Sequence, residues 1–178
     1  MSHSELLVIG GASGVGKSSA AFALHDLLTA QDVSHAVVEG DALDLAHPAP
    51  WRTGLAFRNL SAIWANYRAL GHRRLIYTNT VSVLKAEAIA EAMGDRPRTR
   101  AVLLQATPRT VRERLETREH GESLDVHVAR SREAAERLDA EAAPAVHRLN
   151  TEGRTPHEVA VQISVVLDWA GPAGRGSS

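Results

Sequence analysis

The run Gly11-Ala12-Ser13-Gly14-Val15-Gly16-Lys17-Ser18 fits the pattern G-x-x-x-x-G-K-[ST] at every constrained position. The chemistry such a run performs is the holding of a polyphosphate. Dense negative charge is surrounded by closely spaced backbone N–H groups only where bulky side chains are missing, and Gly11, Gly14 and Gly16 supply that space. Lys17 brings a compact positive charge to the terminal phosphates. The Ser18 hydroxyl is a ligand for the Mg2+ that travels with them. Ala12, Ser13, Val15 and Ser19 complete the cradle and the first turn of the helix behind it, whose positive end adds to the field.

A second group of candidates follows the strand-like segment that ends at Glu39. In a parallel sheet, ligands meet the carboxyl ends of the strands, which directs attention to Asp41 and, three residues on, Asp44. Asp41 could hold Mg2+ or accept the proton of an attacking hydroxyl; the competing reading is an aspartate that caps its own turn. The third strand-like segment ends in Thr78-Asn79-Thr80, where Asn79 can hydrogen-bond a substrate. Many nucleotide hydrolases carry a metal-binding aspartate at such a strand end, and this one has none, which favours kinases of small molecules over motor-type ATPases.

Arginines form the third group. Arg109, Arg112, Arg114 and Arg118 precede a polar turn, and Arg130, Arg132 and Arg137 follow it. Such a helix–loop–helix can fold over a bound nucleotide and offset the charge that develops during phosphoryl transfer. Interleaved glutamates make much of the same stretch a face of helical ion pairs, so the functional choice falls on one or two of Arg114, Arg118, Arg130 and Arg132. Arg52 and Arg58 stand where an acceptor would approach. Trp51 and Trp64 are read as core.

These residues require an alternating set of elements to position them. Leu6-Leu7-Val8-Ile9 is apolar throughout, as a strand buried on both faces must be. The helix after Lys17 carries Ala21, Leu24, Leu27 and Leu28 at helical spacing. Further strands are expected at 35–39, 74–78, 101–105 and 146–149, and helices at 56–70, 83–93, 109–118, 124–142 and 155–169. The last helix opens with a threonine, a proline and an early acid, a helix-start signature. The expected architecture is α/β, a three-layer P-loop NTPase fold. It has a five-stranded parallel sheet, helices on both faces and a helical lid at about 109–142. Residues 1–170 form one domain, and the Gly- and Ser-rich residues 171–178 a disordered tail.

Composition narrows the class further. The 178 residues suffice for one sizeable core. With 20 Lys and Arg against 21 Asp and Glu, neither nucleic acid nor a membrane is expected as partner. Cysteine is absent, which excludes disulfides and thiolate chemistry, and no histidine pair has metal-ligand spacing. A cytoplasmic protein, monomeric or homodimeric, is expected.

With these motifs the chain resembles the small P-loop kinases, the group of adenylylsulfate, gluconate and shikimate kinases and chloramphenicol phosphotransferases. Glu39-Gly40-Asp41-Ala42-Leu43 is similar to the segment after the second strand in which the family's aspartate faces substrate and metal. Arg58-Asn59-Leu60 resembles the substrate-side helix of adenylylsulfate kinases, and Thr110 to Leu115 with Arg118-Glu119 the arginine-bearing start of the lid. Asn150 to Pro156 resembles the loop that lies near the adenine, which brings in Arg154. The resemblance implies ATP, Mg2+ and a small-molecule hydroxyl acceptor. Lys17, Asp41, Arg114, Arg118 and Arg130 would be catalytic, and Asp41, Asp44, Arg52, Arg58 and Asn79 would face the acceptor. The histidine-proline that follows the aspartate in gluconate kinases is displaced to His47-Pro48. A binding module that senses ATP without transferring phosphate is the alternative, and a GTPase is disfavoured because no N-K-x-D segment follows a later strand.

Overall fold

A computed structural model describes residues 3–50, 52–117 and 121–169. Five strands, β1 (Glu5–Gly10), β2 (Ala36–Glu39), β3 (Arg74–Thr78), β4 (Arg98–Gln105) and β5 (His147–Asn150), form one sheet in the order β2-β3-β1-β4-β5. Every pairing is parallel. Six helices connect and cover them: α1 (Lys17–Ala30), α2 (Leu55–Ala69), α3 (Ala86–Met93), α4 (Pro108–Glu116), α5 (Glu122–Glu141) and α6 (Pro156–Leu167). The expected α/β architecture is therefore the one observed.

The pleat divides β1 between two cores. Leu7 and Ile9 pack with α1 and α6 on one face, while Leu6 and Val8 pack with α2, α3 and the end of α5 on the other. On the first face Ala20, Ala21, Leu24 and Leu28 of α1 meet Val159, Ala160, Ile163 and Leu167 of α6. Repeats of three and four residues keep each stripe on one side of its helix, and the alanines let the backbones approach. Trp64, 1% exposed, anchors the second face. Trp51, Arg118 and the 171–178 tail lie outside the described residues.

Boundaries shift where tertiary pairing outweighs local pattern. β4 begins at Arg98 rather than Ala101, because polar Arg98, Thr99 and Arg100 pair with β1 at Glu5, Leu6 and Leu7. The segment expected as a helix from Val83 is split into a 3₁₀ turn, Ser82–Leu84, followed by α3. The helix-start signature of the last helix is present as geometry, with Thr155 and Glu158 forming a reciprocal capping box on α6, and a second threonine cap opens α4, where Thr107 is followed by Pro108.

Candidate functional site

The phosphate loop is shaped by backbone that other residues could not adopt. Gly11 has φ 144°, and a Cβ there would stand 2.6 Å from the Leu104 carbonyl oxygen, so both conformation and space require glycine. The loop's carbonyls are held from outside. Ser131 of α5 donates to Ser13 O at 2.7 Å. Arg114 of α4 donates to Gly14 O at 3.4 Å and Val15 O at 3.1 Å. Thr151, at the end of β5, donates to Val15 O at 3.0 Å and accepts from Arg114 at 3.0 Å. With the carbonyls engaged, the amides of the first turn of α1, which have no intrahelical acceptor, are the groups available to an anion.

Lys17 opens α1 and donates to Ala12 O at 3.1 Å across the loop. Burial pushes its pKa down, because desolvation disfavours the ammonium; the Asp41 and Glu39 carboxylates oppose that shift. Asp41 sits in a 3₁₀ turn, Gly40–Ala42, directly after β2. β2 pairs with β3 in the register Glu39↔Thr78, which brings the residues after each strand together. Asn79 Nδ2 donates to Asp41 Oδ1 at 2.5 Å, and Asn79 Oδ1 accepts from the Val81 amide at 3.0 Å. Beneath them Tyr77 is buried, and a Cβ on Gly40 would come 2.2 Å from its hydroxyl. Burial first, then the Asp41 and Asp44 charges, push the Tyr77 pKa up to about 12, so it stays protonated.

These elements enclose a cleft of about 600 Å³ lined by Ser13 to Ala20, Asp41, Arg114, Thr151 and Arg154 among others. Lys17, Ser18, Ser19 and Asp41 therefore share one cleft with Arg114 and Arg154, while Ala12 is buried behind the loop. Asn79 reaches the cleft through Asp41. Asp44 is half-buried and acts on Tyr77. Arg52 and Arg58 are exposed and form no ion pair among the described residues. Arg130 is exposed on α5 and does not line the cleft. Arg109, Arg112 and Arg137 pair with Glu113, Glu116 and Glu141 at 2.9–3.0 Å on open helical faces, where such pairs contribute little.

Mg2+ with nucleotide phosphates asks the protein for one or two oxygen ligands, and the exposed Ser18 hydroxyl and the Asp41 carboxylate, both lining the cleft, fit that demand. Two contributors escape sequence reasoning, Thr151 and Ser131. The strand-end rule that singles out Asp41 applies equally to Thr151; nothing near Ser131 in sequence signals its loop contact.

The fold places the chain beside known structures. A tunicamycin resistance protein from Deinococcus radiodurans superimposes with a TM-score of 0.64 at 21% identity, over 92% of this chain and 95% of that one. Shikimate kinase from Bacteroides thetaiotaomicron gives 0.62 at 15% identity, over 92% and 98%. The adenylylsulfate (APS) kinase of Mycobacterium tuberculosis, solved with AMPPNP and APS, gives 0.54 at 18% identity, over 94% and 99%. The fold is thus that of the small P-loop kinases. No protein-family model matches the sequence, and no curated protein is significantly similar to it. No helix among the described residues is long and apolar enough to cross a membrane.

Proposed function

We propose that the protein is a Mg2+-dependent kinase that moves the terminal phosphoryl group of ATP to a hydroxyl of a small metabolite or antibiotic. The observation that carries this reading is the shared cleft of Lys17 and Asp41 at the carboxyl ends of β1 and β2. The kinases and the antibiotic-resistance protein with the same fold support a small-molecule acceptor.

Lys17 and the first-turn amides of α1 bind the phosphates and stabilise the charge that spreads over the transferring group. Mg2+, when bound, neutralises phosphate charge, with Ser18 and Asp41 as the residues that would hold it. Asp41, oriented by the hydrogen bond from Asn79 to its Oδ1, orients the acceptor hydroxyl and takes its proton. Arg114 acts as a positioning residue: its hydrogen bonds go to the loop and to Thr151 rather than outward. Arg154 and the loop it stands on would border the base. Arg118 and Arg130 contribute on closure of α4 and α5 over the nucleotide, and Arg52, Arg58 and Asp44 meet the acceptor.

The test is ADP release from ATP across a panel of hydroxylated metabolites and aminoglycoside or phenicol antibiotics, with Lys17→Ala as blank. Acceptor-dependent release is expected. ATP binding without release for any acceptor would instead favour a nucleotide-sensing module.

A further inference from the structure

A second cavity, of about 380 Å³, lies behind the phosphate loop and beneath α5. Its origin is legible in the packing of α5. Leu124, Ser131 and Leu138 are buried at a spacing of seven residues, so they fall on one stripe of the helix. The two leucines seat the ends of α5. The middle position is a serine, and its contact is the hydrogen bond to Ser13 O instead of an apolar side chain. Beside it Val128 and Ala135 present small groups, and the space they leave is floored by Leu104 of β4 and Val111 of α4. The loop residues Ala12 and Val15 form one wall, and Val15 also lines the nucleotide cleft, so the two cavities stand back to back. Asp41 and Asn79 are not among the residues that line this cavity.

The chemistry of the lining selects the occupant. Its polar rim is already compensated: Asp125 pairs with Arg112 at 3.0 Å, Gln105 donates to Asp139 at 3.0 Å, and Arg132 faces Glu136 at 3.9 Å. A charged ligand would meet no unanswered partner there, and removing it from water would be costly. The volume falls at the small end of ligand sites, roughly 300–1,000 Å³. We propose that this cavity binds a small, uncharged, mainly apolar molecule of one to three rings, and that its occupancy tightens nucleotide binding. The occupant packs on Ala12 and Val15 and on α5 at once, which holds Ser131 against the Ser13 carbonyl and the loop in its anion-binding shape. Coupling of this kind is reciprocal, so nucleotide must tighten the occupant by the same factor. The coupling rests on the nucleotide reading above; the cavity does not.

The test uses the neutral probe N-phenylnaphthylamine, whose fluorescence rises on leaving water, titrated into the full chain with and without ATP and Mg2+. One saturable site is expected, with probe affinity raised at least about 5-fold by nucleotide. Ala135→Phe and Val128→Phe, which fill the cavity from different turns, should each weaken the probe at least 10-fold; retained ATP binding shows that they fold. Ser131→Ala should keep the probe and lose the coupling. Absence of a saturable site, wild-type probe affinity in both filled variants, or displacement of the probe by ATP overturns the site. Unchanged probe affinity with ATP bound overturns the coupling. If ATP does not bind at all, the proposed kinase function fails, while the probe titration still decides the cavity.

Discussion

The two ends of the sheet treat polar groups in opposite ways. At the amino ends, side chains converge on two carboxylates, although Asp95 Oδ1 and Arg74 Nε are buried there without a hydrogen bond among the described residues. Asp95, just before β4, accepts from Ser4 at 2.5 Å, Arg68 at 2.5 Å and Trp64 Nε1 at 3.3 Å. Glu5 accepts from Trp169 Nε1 at 2.7 Å and lies 3.5 Å from both Arg74 and Arg100. At the carboxyl ends, Asp41 has Asn79 as its hydrogen-bond partner, Lys17 bonds a carbonyl, and Arg52 and Arg58 form no ion pair among the described residues. One end spends its polarity on holding the fold together. The other commits Arg114, Thr151 and Ser131 to the phosphate loop but keeps Asp41, Lys17 and the two arginines lightly engaged, which is what a ligand site requires, since a group saturated by the protein has little left to offer a substrate.

Substitutions at each end should separate these roles. The largest effect is expected from Lys17→Ala, which removes the charge facing the phosphates: acceptor-dependent ADP release should vanish with the melting temperature nearly unchanged. A variant that kept turnover would break the contrast outright. Asp41→Asn preserves the partner of Asn79 but removes the proton acceptor. Turnover should fall by roughly 10² to 10⁴ while nucleotide affinity, measured by calorimetry, survives.

At the opposite end Asp95→Ala strands the donors of Ser4, Trp64 and Arg68. It should cost about 2 kcal/mol, read as a melting temperature lower by about 4–8 °C, with ATP affinity unchanged. Loss of nucleotide binding in that variant would show that the two ends are not separable. The smallest effect is a pH response of the α6 cap. Hydrogen bonds from Thr155 to Glu158 depress that carboxyl's pKa in the folded state. A depressed carboxylate pKa stabilises above the unfolded value and ceases to do so as pH falls through the folded one. Protection of the amides at the start of α6, taken relative to their intrinsic exchange rate at each pH, should therefore fall on acidification below the normal glutamate range, and Glu158→Gln should flatten that response.

Much of the fold was legible because the residues that make it carry local signals. The apolar run of β1, the helical spacing of α1 and the capped starts of α4 and α6 each follow from neighbours in sequence. β4 begins three residues before its apolar run, where Arg98, Thr99 and Arg100 look like loop residues until β1 pairs with them. In the candidate site, the Gly11 to Ser18 loop and Asp41 were visible from spacing and from the strand-end rule. The hold of Thr151 on Val15, more than a hundred residues away, was not, since no local pattern encodes a contact at that separation.

The sequence alone determined that a polyphosphate-binding loop opens an alternating α/β chain, because glycine conformation, lysine charge and hydrophobic period act over a few residues. Only the tertiary structure decided which carboxylate shares a cleft with that loop and which arginines spend themselves on the surface. It also decided that a serine in mid-helix leaves a cavity at the loop's back. Those outcomes depend on strand order and register, which bring Asp41 to Asn79 and α5 to Ser13 across distances that no local rule spans.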